Sequence, residues 1–322
     1  MKAYVYGANG AAITEVAKPS PKGTQVLIRV RACGLNRADL GMTKGHAHGS
    51  AGGAGTVLGM EWAGEVAEIG PQARGVKAGD KVMGSGAAAF AEYALADHGR
   101  LFRSPSNMNS EEACTLPIAL TTMHNAVVTI GALQPGQTVM VQGASSGVGL
   151  MAMQIAKLKG ASLVIGSSTD PLRRGRLKEF GADLAVDSAD PGWVEQVLQA
   201  TSGEGVDLII DQVSGKVASQ NLKATRIKGR IVNVGRLGGT HADFNFDLHA
   251  ARRISYIGVT FRTRTIEEIR EIFDEARKDL WPAVESRKLR LPIDRVFAFD
   301  DIGKAFEHME ANKHLGKIVV TL

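Results

Sequence analysis

The chain has 322 residues, 44% of them hydrophobic and 22% charged, which suits a globular protein long enough for two modest domains and a large buried core. Its formal net charge of +5 is too weak and too dispersed for a nucleic-acid partner, and no apolar run reaches the roughly 20 residues of a membrane span. Cys33 and Cys114 supply neither a disulfide scaffold nor a four-thiolate zinc site, and "MKAYVYGANGAAITEV" lacks the apolar core of a signal peptide, so a cytoplasmic protein without membrane contact is expected.

Residues 1 to 117 are rich in Gly and Val with frequent breaks, as in "TQVLIRVRACGLN", "VLGMEWAGEVAEIG" and "FAEYALA"; short β-runs punctuated by Gly and Pro predict a mainly β unit. From 118 to 261 the texture changes to alternating strand and helix. Strands are expected at Val139–Gln142, Leu163–Gly166, Leu184–Val186, Leu208–Asp211, Ile231–Val234 and Tyr256–Val259, with helices at 148–159, 172–180, 192–201 and 216–225. Each strand is a short continuous apolar run, the pattern of a sheet covered by helices on both faces. Six such strands in right-handed βαβ units make a doubly wound, parallel α/β fold of the Rossmann type. After 262, "RTIEEIREIFDEARKDL" reads as an amphipathic helix with a solvated charged face. "IDRVFAF" follows as a strand, "DDIGKAFEHMEAN" as a helix capped by Asp300 or Asp301, and "KIVVTL" as a last strand. This tail resembles the first region, so residues 1–117 and 262–322 are expected to form one split domain around a nucleotide-binding domain at 118–261.

At the first strand–helix junction stands "GASSGVG", residues 143–149. The first N–H groups of a helix lack intrahelical partners and, with the helix dipole, form an anion site. The glycines are therefore expected to let a pyrophosphate approach the backbone, while Gly149 lets the helix pack close. An NAD-selective site places Asp or Glu about 20 residues on, at the end of the second strand. Here "GSSTDPLRR" places neutral Ser167, Ser168 and Thr169 there, and Asp170 precedes Pro171 as a helix N-cap. Hydroxyls and a guanidinium accommodate a 2′-phosphate that a carboxylate would repel, so NADPH is expected, with Ser168 and Arg173 as its contacts.

"GASSGVG" resembles the short-chain dehydrogenase fingerprint, but none of Tyr4, Tyr6, Tyr93 and Tyr256 has Lys four residues on, and the motif lies mid-chain. The order of "VLIRVRACGLNRADL", "LGMEWAGEV", "VKAGDKVMG", "FAEYALA", "LPIALTTMHNAV", "LQPGQTVMVQGASSGVG", "EFGAD" and "GKIVVTL" resembles instead the medium-chain dehydrogenase/reductase superfamily, in its zinc-free quinone oxidoreductase-like branch. The resemblance covers essentially the whole chain. It implies a GroES-like, mainly β catalytic domain beside the Rossmann sheet, and hydride transfer from NADPH to a quinone or to the C=C bond of an α,β-unsaturated carbonyl compound. Zinc relatives carry "CGxC" and "GHE"; Asn36 and Met60 replace two of those ligands here and Glu61 alone remains, so no metal is expected.

The same resemblance implies that Asn36 lies beside the nicotinamide and the acceptor, where its amide would donate to the developing oxyanion. It assigns Ser145, Ser146, Gly147 and Val148 to the pyrophosphate turn, Thr121 to the nicotinamide side, Gly235 to the bridge between the two nucleotides, and Phe261 and His314 to the closure over the nicotinamide half. Ser188 stands where many relatives carry a Tyr beside the adenine phosphate, and Gly41 stands where quinone reductases of the family often carry a Tyr five residues after the Asn. In "KGHAHGSAGGAG", residues 44–55, His46 and His48 lack a third ligand nearby, so a mobile loop on the substrate side is expected rather than a metal pair. His124 is expected as a packed helix residue. "ISYIGV" is expected to pair across a two-fold axis in a homodimer. The alternatives are a zinc-free NADP-linked ketone or alcohol dehydrogenase and an NADPH-binding sensor without turnover.

Overall fold

The run Val206–Asp211 is buried at every position, and it becomes a central strand because apolar side chains on both of its faces must be covered. A computed structural model describes residues 1–49 and 51–322, and the chain divides into two compact units. One comprises Met1–Thr121 with Phe261–Leu322; the other is Thr122–Thr260. The helix Pro117–His124 runs through the boundary expected at 117/118, and Phe261 falls in the first unit.

The second unit holds six parallel strands in the spatial order Leu184–Val186, Leu163–Ser167, Thr138–Gln142, Val206–Asp211, Thr225–Asn233 and Ser255–Gly258. In chain order that is 3-2-1-4-5-6, the dinucleotide-fold sequence, with its reversal point at the end of Thr138–Gln142. Met140, Ile165, Ile209 and Ile231 pack against Trp193, Val197 and Leu222 from the crossover helices. Three segments depart from the expected pattern. The predicted helix 172–180 breaks into Pro171–Gly175 and a 3-10 turn at Leu177–Phe180, ended by Gly181 at φ +96°. The fifth strand starts at Thr225, six residues early, and meets its neighbour with a register shift between Val206 and Leu208. A further helix, Phe246–Arg252, forms in a polar stretch that carries no clear helical period and is capped by the Asn245 side chain.

In the first unit Gln25–Gly34 is the hub strand. It pairs antiparallel with Glu61–Ile69, Tyr93–Asp97 and the closing strand Lys317–Thr321, which runs parallel to Ile293–Ala298. The returning tail thus completes the sheet begun by the N-terminal region. Val26, Ile28 and Val30 face Trp62, Phe90 and Phe306 in its core. The helix Ile266–Glu285 starts with a capping box between Thr265 and Glu268 and buries Ile269, Ile272, Phe273, Ala276 and Leu280. Asp301 stands at the N-cap of Ile302–Glu310, but its side chain makes no capping bond and pairs with Lys304 at 2.8 Å instead. Among the described residues no helix is long and apolar enough to cross a membrane.

Candidate functional site

In the second unit the glycine loop joins Thr138–Gln142 to the helix Gly147–Leu158. Ser146 is the N-cap, its Oγ accepting the Gly149 N–H at 3.1 Å and lying 2.8 Å from Gln212 Oε1. A Cβ on Gly149 would come within 2.7 Å of the Ala144 Cα and carbonyl, so glycine is what lets the helix start this close to the loop. Ser145 and Val148 are partly exposed while Gly147 is buried. Ser168 Oγ lies 3.2 Å from Ser145 Oγ, which brings the two expected contact regions together at the carboxyl ends of adjacent strands.

Asp170 caps the next helix, accepting the Arg173 N–H at 2.8 Å, and that bond holds its carboxyl below the usual range. Arg173 Nε stands 3.6 Å from Asp170 Oδ1. Arg174 turns away to the Ser168 carbonyl at 2.8 Å and to Asp187 at 3.0 Å. Ser188 follows Asp187 in the turn after the third strand. Gly235 donates its N–H to the Asp211 carbonyl at 3.1 Å, and a Cβ there would meet the Gln212 carbonyl at 2.6 Å.

Beneath this loop runs a buried polar chain that the sequence pattern did not reveal. Gly143 N–H donates to Ser167 Oγ (3.0 Å), Ser167 to Gln142 Oε1 (2.6 Å), Gln142 to Asn221 Oδ1 (2.8 Å) and Asn221 to Asp211 Oδ2 (3.0 Å). Asp211 Oδ1 accepts the N–H groups of Val213 and Ser214, while burial raises its pKa. Gln212 Nε2 is buried without a hydrogen-bond partner beside Ser146. An unsatisfied donor next to a capped helix N-terminus suits an anionic ligand, and the diphosphate of a nicotinamide dinucleotide fits these residues.

In the first unit Asn36 stands at the N-cap position of the short helix Arg37–Met42 and belongs to a closed ring of three side chains. Its Nδ2 donates to Glu61 Oε2 at 3.1 Å, Lys317 Nζ donates to Asn36 Oδ1 at 3.0 Å, and Lys317 Nζ lies 2.5 Å from Glu61 Oε2. The second Nδ2 hydrogen has an acceptor in the Gly34 carbonyl at 3.3 Å, so both donor hydrogens of this amide already have partners. Glu61 Oε1 accepts the Ile118 N–H at 2.7 Å and thereby joins the ring to the helix that carries Thr121. Glu61 is fully buried and the Lys317 side chain is 6% exposed. Gly34 allows this convergence: a Cβ there would lie 2.7 Å from the Cys114 carbonyl, 3.0 Å from Glu61 Oε2 and 3.1 Å from Lys317 Cε.

Asp39, one turn on, accepts the Asn36 backbone N–H on Oδ2 at 2.7 Å, and its buried Oδ1 has no partner. Burial drives its pKa to about 7 despite that bond and the Lys317 charge. Burial likewise raises the thiols of Cys33 and Cys114 well above their ordinary value, and Cys33 Sγ donates to the Ala89 carbonyl. The Glu61 oxygens are taken by an ammonium, an amide and a main-chain N–H, and among the described residues no three His, Cys, Asp or Glu side chains converge.

The remaining expected residues are placed individually. Thr121 donates its hydroxyl to the Pro117 carbonyl at 2.7 Å, within its own helix. His314 lies with its ring centroid 6.3 Å from that of His308, which pairs with Asp294 at 2.7 Å. The Phe261 carbonyl accepts the Arg264 N–H. His124 is 2% exposed. The loop 44–55, outside position 50, which lies beyond the described residues, is built by close approach. His48 and Ala51 exchange backbone bonds of 2.7 and 3.2 Å, and a Cβ on Gly52 would sit 2.7 Å from the His46 carbonyl. Gly52 thus serves packing, while a Cβ on Gly53 or Gly55 would meet nothing within 4 Å.

Residues 22–106 match the alcohol dehydrogenase GroES-like domain and residues 147–278 the zinc-binding dehydrogenase family. The chain is 30% identical over 312 residues to quinone oxidoreductase-like protein 2 of Mus musculus, covering 96% of this chain and 88% of the relative. It is 27% identical to a phenolphthiocerol/phthiocerol polyketide synthase of Mycobacterium tuberculosis over 96% of its own length, and spans 14% of that much longer protein. The crystal structure of CurK enoyl reductase superposes with a TM-score of 0.86 at 25% identity, covering 99% of both chains. Sequence, fold and the geometry of the glycine loop agree, and the chain belongs to the medium-chain dehydrogenase/reductase superfamily, in its quinone oxidoreductase-like branch.

Proposed function

We propose that this chain is a zinc-independent, NADPH-dependent reductase that delivers hydride to a quinone or to the C=C bond of an α,β-unsaturated carbonyl compound. The observation that carries the reading is the Asn36–Glu61–Lys317 ring: Asn36 replaces one ligand of the zinc pattern, and the carboxylate of Glu61, the ligand position that remains, is engaged by an ammonium and an amide. Without a Lewis acid, an acceptor that is already electrophilic through conjugation is the fitting substrate. The names of the mouse relative and of the CurK enoyl reductase support the same two acceptor classes.

Ser145, Ser146, Gly147 and Val148 would hold the pyrophosphate, Ser168 and Arg173 the 2′-phosphate, and Ser188, Gly235, Thr121, Phe261 and His314 the remainder of the dinucleotide. NADPH held there would supply a hydride, two electrons with one proton. An enone accepts the hydride at its β-carbon and a proton from water at its α-carbon; a quinone becomes a hydroquinone by the same count. Asn36 is the proposed catalytic residue. With one Nδ2 hydrogen held by Glu61 at 3.1 Å, the other, on the long 3.3 Å contact to Gly34, is the one proposed to be shared with the developing oxyanion as a bifurcated donor.

Two free cysteines in buried sites support a reducing, cytoplasmic setting. The test follows NADPH absorbance against quinones, 2-alkenals, cyclic enones and simple ketones, with elemental analysis of the purified protein. Oxidation of NADPH by quinones or enones, unaffected by chelator, is expected. Turnover confined to simple ketones, or stoichiometric zinc, would overturn the reading.

A further inference from the structure

The closing motif "GKIVVTL" carries a lysine that the proposed reaction has not yet used, and it stands in an unusual place. Lysine is among the residues least often fully buried, and when buried it is paired. Lys317 heads the strand Lys317–Thr321 with 5% exposure, and its Nζ reaches Glu61 and Asn36 across 256 and 281 residues of sequence. Its charge is compensated by Glu61, so the pair's desolvation is offset without a net charge being left in the interior.

We infer that Lys317 is a positioning residue for the reductase reaction: held by Glu61, its ammonium fixes the orientation of the Asn36 amide and polarises it as a hydrogen-bond donor. The inference rests on the reductase reading above and extends it to a residue outside the glycine loop and the substrate-side motifs. An amide can turn end for end by exchanging its oxygen and nitrogen, and only its partners decide which way it stands. Here a pure donor, the ammonium, faces Oδ1 at 3.0 Å, and a pure acceptor, the Glu61 carboxylate, faces Nδ2 at 3.1 Å. The reversed amide would set N–H against ammonium and oxygen against carboxylate, so one orientation is enforced.

A cation on the amide oxygen also draws electron density from the nitrogen. This strengthens the N–H that is not committed to Glu61, the cooperative effect expected of linked hydrogen bonds in a low-dielectric site. Glu61 extends the device, because its other oxygen holds Ile118 N–H at 2.7 Å and so ties the amide to the start of the helix that bears Thr121.

Lys317→Met alone leaves Glu61 buried and uncompensated and can unfold the chain, so the decisive variant is the double substitution Lys317→Met with Glu61→Gln, which removes both charges together. Two readouts apply. With protein selectively labelled with ¹⁵N at asparagine and free of cofactor and acceptor, the Asn36 side-chain NH₂ signals, assigned by their loss in Asn36→Ser, are expected to move toward those of exposed amides in the double variant. They are expected to return most of the way in Lys317→Arg. In steady-state assays the double variant should lose roughly ten- to a hundredfold in kcat while the KM for NADPH stays within about threefold, the pattern of lost orientation rather than lost binding. Asn36 signals unchanged in the double variant, or kcat within about twofold of the parent chain, would overturn the assignment. A parent chain that reduces no quinone or enone refutes the reductase reading instead, and the spectroscopic comparison still decides whether Lys317 orients the amide.

Discussion

Asp39 shows how one buried group sets a pH dependence for the whole fold. Its pKa of about 7 lies above the ~3.9 of an unfolded chain, so the folded state binds the extra proton between those values. The contribution is fully present below about pH 4 and is lost as pH rises through 7, by up to roughly 4 kcal/mol. Denaturant unfolding at pH 5 and pH 8 should therefore show the higher stability at pH 5, and Asp39→Asn should flatten this difference; an unchanged slope would remove Asp39 as its source. Arg173 carries the second prediction at this scale. Arg173, with Nε 3.6 Å from Asp170 Oδ1 after the second strand, is the guanidinium proposed for the 2′-phosphate. Arg173→Ala should lower the preference for NADPH over NADH by about ten- to a hundredfold, read as the ratio of the two dissociation constants.

The helix Gly147–Leu158 shows how sequence becomes a binding element. The small residues before it were legible in the sequence, while the Ser146 cap, which supplies an acceptor to an unpaired N–H group, came from the structure. Ser146→Ala removes the acceptor for the Gly149 N–H and should cost about 1 kcal/mol of stability together with cofactor affinity, measured by thermal unfolding with and without NADPH. Gly149→Ala acts differently. Its new methyl would meet the Ala144 backbone at 2.7 Å, so the helix start must shift, and a loss of about 1–3 kcal/mol is expected with the cap intact. Segments with mixed signals were harder to read. Residues 172–180 look like one helix in sequence, yet the chain needs a tighter turn and a left-handed Gly181 before the next strand.

At the scale of the molecule, the strand Ser255–Gly258 closes one side of the six-stranded sheet with its outer edge unpaired among the described residues. An exposed edge strand is a template for pairing, and we propose that two copies join there about a two-fold axis. Light scattering should give about twice 34.1 kDa, and a mass of 34.1 kDa would end the proposal. Sequence alone determined the strand–helix alternation and the glycine loop, because apolar period and small-residue spacing are local properties of the chain, and the order of its motifs carried the resemblance to the family. It also showed that Asn36 and Met60 stand where zinc relatives carry ligands. Only the tertiary structure decided what surrounds Asn36 and Glu61. Lys317 reads locally as the head of an apolar strand, and its partnership with Asn36 and Glu61 exists because the returning tail pairs antiparallel with Gln25–Gly34. The polar chain from Ser167 to Asp211 was hidden for the same reason: hydrogen bonds between distant strands follow from sheet order, which no short window of sequence contains.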